Sequence, residues 1–307
     1  MSKTTIIVLS VIGGVVLLAG VCSYTCVYYF MDSVKNRQVV IEDLSNGEVI
    51  FLGDNGIHTA PLFSADGARL YYLTRVNINN NPGPFRLVAY SIAENRIIRS
   101  LERDDVTLTS SVTRDGRILC YSRKDDHDDI CVITGDGSSM KRLTNEKKKR
   151  KNAVFSPDGI WVAFMAEDKT TEENNIYLVP STGGPESRLT NTGGMFSQIS
   201  AMTWAQDSRH IAYVSFIDFI IKNLKGVIVD RISLAGMNNI KAVLADPSDP
   251  DRYFIIARES DGGLSFFIFI VSRKAKKYEA WKENRSFWEM DYSISPDGRK
   301  IAYSMKR

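Results

Sequence analysis

Ser295-Pro296-Asp297-Gly298-Arg299-Lys300-Ile301-Ala302-Tyr303 decides the fold, because the phrase recurs along the whole 307-residue chain. Pro presets φ for a turn, Asp bonds its own backbone, and Gly accepts positive φ. The strand that follows alternates apolar and small residues. A close copy is Ser156-Pro157-Asp158-Gly159-Ile160-Trp161-Val162-Ala163-Phe164. Looser copies run from Phe63 to Tyr72, from Val112 to Tyr121 and from Trp204 to Tyr213. A degraded copy spans Asp249 to Ile255. With Pro250 placed at the aspartate position, successive units are 43 to 49 residues apart. A period in this range marks a propeller or solenoid, since one unit cannot bury its apolar face alone.

Each unit reads as one four-stranded blade. After the turn and its strand come a variable loop and a third strand, clearest at Ile176-Tyr177-Leu178-Val179. A Gly-rich turn, Ser181-Thr182-Gly183-Gly184, leads to a fourth strand ending Arg188-Leu189-Thr190-Asn191. Arg142-Leu143-Thr144-Asn145 repeats that ending. Period-2 runs between closely spaced turn signals predict an all-β chain, and no helical periodicity appears after residue 40.

These phrases resemble the repeats of TolB-like (WD40-like) β-propellers, most closely at Ser156–Phe164 and Ser295–Tyr303. The resemblance covers nearly everything after residue 38 and implies a six-bladed propeller of four-stranded antiparallel blades. The chain departs from TolB itself: it has no room for a separate N-terminal α/β domain. The chain ends two strands into its sixth unit. Val39–Asp43 and Glu48–Leu52, joined through Asn46-Gly47, supply two strands with a strong hairpin signal. The expectation is that 38–52 pairs with 288–307 and leaves no open edge at the seam.

Ile6 to Phe30 carries no charge. A bilayer core needs ~20 apolar residues as a helix, and Tyr24, Tyr28, Tyr29 and Phe30 suit an interfacial belt. The expected organisation is a transmembrane anchor over 1–31, a linker over 32–37 and the propeller over 38–307. A cleaved signal or a lipoprotein box near Cys22 are the rival readings. Lys3 on one side and Lys35 and Arg37 on the other leave the positive-inside count nearly tied. The TolB-like resemblance favours a cytoplasmic N-terminus and an extracytoplasmic propeller, periplasmic in a bacterium.

Strands within a blade are labelled a to d, inner to outer. The b–c and d–a connections lie on one face of the ring, the a–b and c–d turns on the other. The anchor joins strand c from the b–c side through seven residues, Met31 to Arg37, which reach at most ~25 Å. That face is expected toward the membrane. It also carries Lys147-Lys148-Lys149-Arg150-Lys151, in a d–a loop, and Phe216-Ile217-Asp218-Phe219-Ile220-Ile221, at a b–c loop. The loop Asn77–Phe85 belongs there too. A basic run is ordinarily a solvated loop and an apolar run an extended strand. Their common side raises partner contact or anionic headgroups, worth ~1 kcal/mol per Lys or Arg.

Nothing demands an enzyme. There is no G-x-S-x-G, H-E-x-x-H, C-x-x-C or phosphate-binding Gly loop, and no cofactor is expected. Asp126, His127 and Asp128 are weak metal candidates, because neighbours in an extended chain point to opposite sides and cannot converge. Cys120 and Cys131 fall on adjacent strands, where a disulfide and two buried thiols are both open. The net charge of +3 gives no reason to expect nucleic acid. Two functions follow. One is a non-catalytic, membrane-anchored interaction, scaffold or accessory subunit of a membrane or envelope complex. The other is a propeller that binds a small ligand or glycan, or is catalytic, at its central channel.

Overall fold

The computed structural model describes residues 37–306 apart from 53–55, 79–80, 103–105, 107, 125–126, 135–136, 147, 168–172, 193–197, 260–266 and 283–291. Every regular element among the described residues is a strand. Twenty-four strands make six four-stranded antiparallel blades around an axis. Blade I is β3 (Gly56–Phe63), β4 (Arg69–Ile78), β5 (Asn81–Ser91) and β6 (Arg96–Glu102). Blade II is β7 (Leu108–Val112), β8 (Ile118–Lys124), β9 (His127–Ile133) and β10 (Met140–Arg142). Blade III is β11 (Arg150–Phe155), β12 (Trp161–Glu167), β13 (Asn174–Pro180) and β14 (Ser187–Arg188). Blade IV is β15 (Ile199–Trp204), β16 (His210–Ser215), β17 (Asp218–Asn223) and β18 (Ile228–Ser233). Blade V is β19 (Met237–Ala245), β20 (Arg252–Glu259), β21 (Phe267–Ser272) and β22 (Lys277–Lys282).

Blade VI joins the two ends of the described chain. β23 (Tyr292–Ile294) and β24 (Lys300–Lys306) are its inner strands; β1 (Arg37–Asp43) and β2 (Val49–Leu52) are its outer ones. β1 pairs with β24 from Arg37↔Lys306 to Asp43↔Lys300, and with β2 from Val39↔Leu52 to Glu42↔Val49. At the turn between β1 and β2, Gly47 takes φ 75° and its N–H donates to the Asp43 carbonyl at 2.8 Å.

The recurring turn has one bonding scheme. The Ser156 hydroxyl donates to Asp158 Oδ1 (2.5 Å) and accepts from the Trp161 N–H (2.9 Å). Ser295 does the same with Asp297 (2.6 Å) and Lys300 (2.8 Å). In blade V the register differs from the sequence expectation. Asp246 follows directly on β19, where Ser295 follows β23, and its Oδ1 accepts from the Ser248 N–H and hydroxyl. Ser248, not Pro250, therefore stands at the aspartate position, and one residue is inserted before β20. The repeated Leu-Thr also has a cause. Thr144 and Thr190 hydroxyls each accept a strand-c N–H, from Ile130 and Ile176, at 2.9 Å.

The core is not one body but six apolar clusters, one in each seam between neighbouring blades. Alternation along each strand sends its side chains to two seams. Val39 and Ile41 enter the cluster shared with blade I, and Val40 the cluster shared with blade V. Cys120 and Cys131 sit opposite each other in register, as buried thiols in the seam between blades I and II. The expected span Ile6–Phe30 lies outside the described residues. Among those residues no helix is long and apolar enough to cross a membrane.

Candidate functional site

The face carrying the b–c and d–a connections is the one on which β1 begins, since Arg37 pairs with Lys306 at the end of β24. The two sequence segments assigned to this face are both divided between exposed and buried residues. Lys149 and Lys151 are exposed. Arg150 starts β11 and is turned wholly inward: it ion-pairs with Glu186 at 2.7 Å and faces Asp129 at 3.9 Å. Lys148 reaches the same Glu186 at 3.0 Å and lies 4.8 Å over the Tyr177 ring. Burial pushes the Lys148 ammonium down, but Glu146 and Glu186 outweigh it and hold it above its ordinary value. Asp129, fully buried, also takes Arg142 at 3.2 Å. These charges cross-link blades II and III, so Arg150 is not a contact residue for a partner or a lipid. Lys147 lies outside the described residues.

The apolar run divides in the same way. Ser215 and Asp218 pair across a two-residue hairpin, which puts Phe216 and Ile217 at its tip. They are 55% and 40% exposed. Phe219, Ile220 and Ile221 are instead core residues of β17, packed into the seams on either side of blade IV. Those three are thus withdrawn from the contact surface. Phe216 has φ 55°, the left-handed region that a bulky side chain rarely occupies. On either side of residues 79–80, the segment Asn77–Phe85 continues the pairing of β4 with β5: Ile78↔Asn81, Asn77↔Pro82 and Arg75↔Phe85 are in register.

Among the metal candidates, Asp126 lies outside the described residues. His127 and Asp128 begin β9, paired with Lys124 and Arg123. Among the described residues no group of three metal-ligating side chains comes together.

The central channel opens on the opposite face in a cavity of about 460 Å³ lined from all six blades. Its walls are about equally polar and apolar, with Phe63, Phe155, Trp204, Pro157 and Pro296 among the apolar residues and Arg114, Thr203 and Gln206 among the polar ones. Several polar groups there bridge blades. Ser293 accepts from the Phe63 N–H at 3.1 Å, and Ser111 from the Phe155 N–H at 3.2 Å. The Trp204 indole donates to the Val154 carbonyl at 3.1 Å, and the Gln206 amide donates to the Asp246 carbonyl. In the blade IV turn, outside the cavity lining, His210 Nδ1 lies 2.6 Å from Asp207. Burial pushes the Asp207 carboxyl up, but the Arg209 N–H and His210 outweigh it and hold it below the usual range.

Residues 115–224 match the family model described as the dipeptidyl peptidase IV (DPP IV) N-terminal region. A stretch of 84 residues is 33% identical to a protein assigned as tricorn protease homolog 2 of Streptomyces coelicolor, covering 27% of this chain and 7% of that protein. The match thus spans a small fraction of that relative's length. A structure assigned as TolB from Agrobacterium tumefaciens is similar with TM-score 0.69 and 16% identity, over 89% of this chain and 99% of that one. TolB from Acinetobacter baumannii is similar with TM-score 0.56 and 15% identity, over 90% of this chain and 64% of that one. The class is that of six-bladed β-propellers. Within it, the chain has the blade arrangement of the TolB propellers.

Proposed function

We propose that this chain is a non-catalytic interaction or accessory subunit of a membrane or envelope complex. It is held to the bilayer by Ile6–Phe30, with the N-terminus cytoplasmic and the propeller outside. It docks an integral-membrane partner through the face on which β1 begins. The observation that carries this reading is the Phe216-Ile217 tip: apolar, exposed, strained, and on the face where β1 begins. Strain kept at a position that glycine would relieve points to a use for the side chain. Covering the exposed parts of both side chains contributes about 2 kcal/mol. Lys149 and Lys151 add a salt-sensitive attraction to anionic headgroups.

The test is purification of the native protein in mild detergent, with identification of what accompanies it. Phe216→Ser with Ile217→Ser should release the partner and leave melting unchanged within about 0.5 kcal/mol of stability. A double variant that keeps native association removes this tip as the docking site. A second reading, use of the central channel for a ligand or for chemistry, draws on the likeness to the peptidase-family propeller region. Against it, several channel polar groups are already bonded between blades.

A further inference from the structure

On the face opposite the tether, each a–b turn leans on the turn of the preceding blade, with one exception. A Cβ on Gly67 would meet Pro296 of blade VI at 3.4 Å, one on Gly159 would meet Arg117 of blade II at 3.0 Å, and one on Gly298 would meet Asp246 of blade V at 3.0 Å. In blade IV, Ser208 takes the glycine position, and its hydroxyl accepts the Asp158 N–H of blade III at 3.0 Å. Blades IV and V are bridged by Gln206 and the Asp246 carbonyl. Gly116 of blade II occupies the same position in its turn, and a Cβ there would meet nothing within 4 Å. At the a–b turns the seam between blades I and II is open where the others are closed; elsewhere along it the Gly137 turn of blade II packs against Leu101 of blade I.

The opening is a radial trench. Two cavities, of about 480 and 590 Å³, share Arg69, Tyr71, Asp115 and Gly116. Arg114 stands at the inner end, Arg69 in the middle and Arg99 at the outer end. All three side chains are exposed. Arg99 and Arg114 form no ion pair with a carboxylate of the described residues, while Arg69 bonds the Tyr71 side chain and feels the nearby Asp66 carboxylate, which together hold its guanidinium above its ordinary value. Arg117, at the next seam, shows the contrast: it bonds across to the Gly159 carbonyl at 3.2 Å and Ser181 at 3.3 Å. The trench carboxylates are already engaged. Asp66 accepts from the Ser64 hydroxyl and the Ala68 N–H, and Asp115 from Thr113 and Arg117.

We propose that this trench binds an extended acidic peptide segment of a partner protein, its carboxylates held by Arg69, Arg99 and Arg114. Guanidinium forks match carboxylates with paired, charge-assisted hydrogen bonds. Their spacing along the seam suits a chain rather than a compact ion. The fixed negative walls, Asp66 and Asp115, repel a compact, densely charged anion. The site lies away from the tethered face, so it stands or falls independently of the docking reading above.

The test is fluorescence anisotropy of fluorescein-labelled hexaglutamate with the full chain in non-ionic detergent. Saturable binding should weaken on the order of tenfold in Arg99→Ala/Arg114→Ala. It should weaken less in Arg99→Lys/Arg114→Lys, stay unchanged in Lys225→Ala, and fall as salt is added. Hexaglutamine should not bind. Equal affinity in wild type and the double Ala variant, or no saturable binding, overturns the proposal. Displacement of the peptide by equimolar inorganic pyrophosphate also overturns it, in favour of a compact-anion site. Both arginines are exposed, so unchanged melting of each variant separates loss of binding from loss of fold.

Discussion

Neighbouring residues of one basic run have opposite fates. Arg150 is sealed against Glu186 and Asp129, while Lys149 beside it is 84% exposed at its side chain. Removing one partner of a buried ion pair strands the other, at a cost of about 3–5 kcal/mol. Arg150→Ala should therefore lower the denaturation midpoint strongly, whereas Lys149→Ala should stay within about 0.5 kcal/mol of wild type. Equilibrium urea unfolding of the two variants checks the contrast. Five cations in a row were legible as a charged segment. Which of them turned inward was not, because that depends on where β11 begins and on a glutamate, Glu186, that lies 36 residues away.

At the scale of the element, the Ser215–Asp218 hairpin holds Phe216, the one aromatic among the described non-glycine residues with positive φ, in the left-handed region. A bulky residue in the left-handed region is strained by about 1–2 kcal/mol, and glycine is not. Phe216→Gly should therefore raise the melting temperature or leave it level, while weakening association with the native partner. A variant that melts lower would show that Phe216 packs productively at the tip. The apolar run around this hairpin reads as one surface in the sequence. It is not, because a middle blade strand is buried on both faces and becomes continuously apolar. Phe219-Ile220-Ile221 is that kind of strand, and only the tip before it is surface. The Ser-Pro-Asp-Gly turns were legible for the opposite reason. Their bonding is local: a hydroxyl, a carboxylate and two N–H groups within six residues. The trench between blades I and II was not legible, since its signal is an absent contact at Gly116 between turns far apart in sequence.

At the scale of the whole molecule, stability hangs on the ring being closed. β1 feeds two seams at once, and Lys300 on β24 bonds Asp43 on β1 at 2.7 Å across that junction. The Lys300 ammonium and then Ser45 hold the Asp43 carboxyl far below its ordinary value of 3.8. A depressed folded-state value means the unfolded chain binds the proton first as pH falls. The stabilisation is therefore fully present above the ordinary value and is lost as pH falls through the folded one. For a partly exposed pair it amounts to about 1 kcal/mol. Asp43→Asn should lower stability by that amount at neutral pH, and the gap from wild type should shrink progressively below about pH 4. Urea midpoints of both proteins between neutral and acid pH measure the gap. A gap that stays constant into acid would mean that the Asp43 carboxylate does not hold the ring shut, and that closure rests on the apolar seams alone.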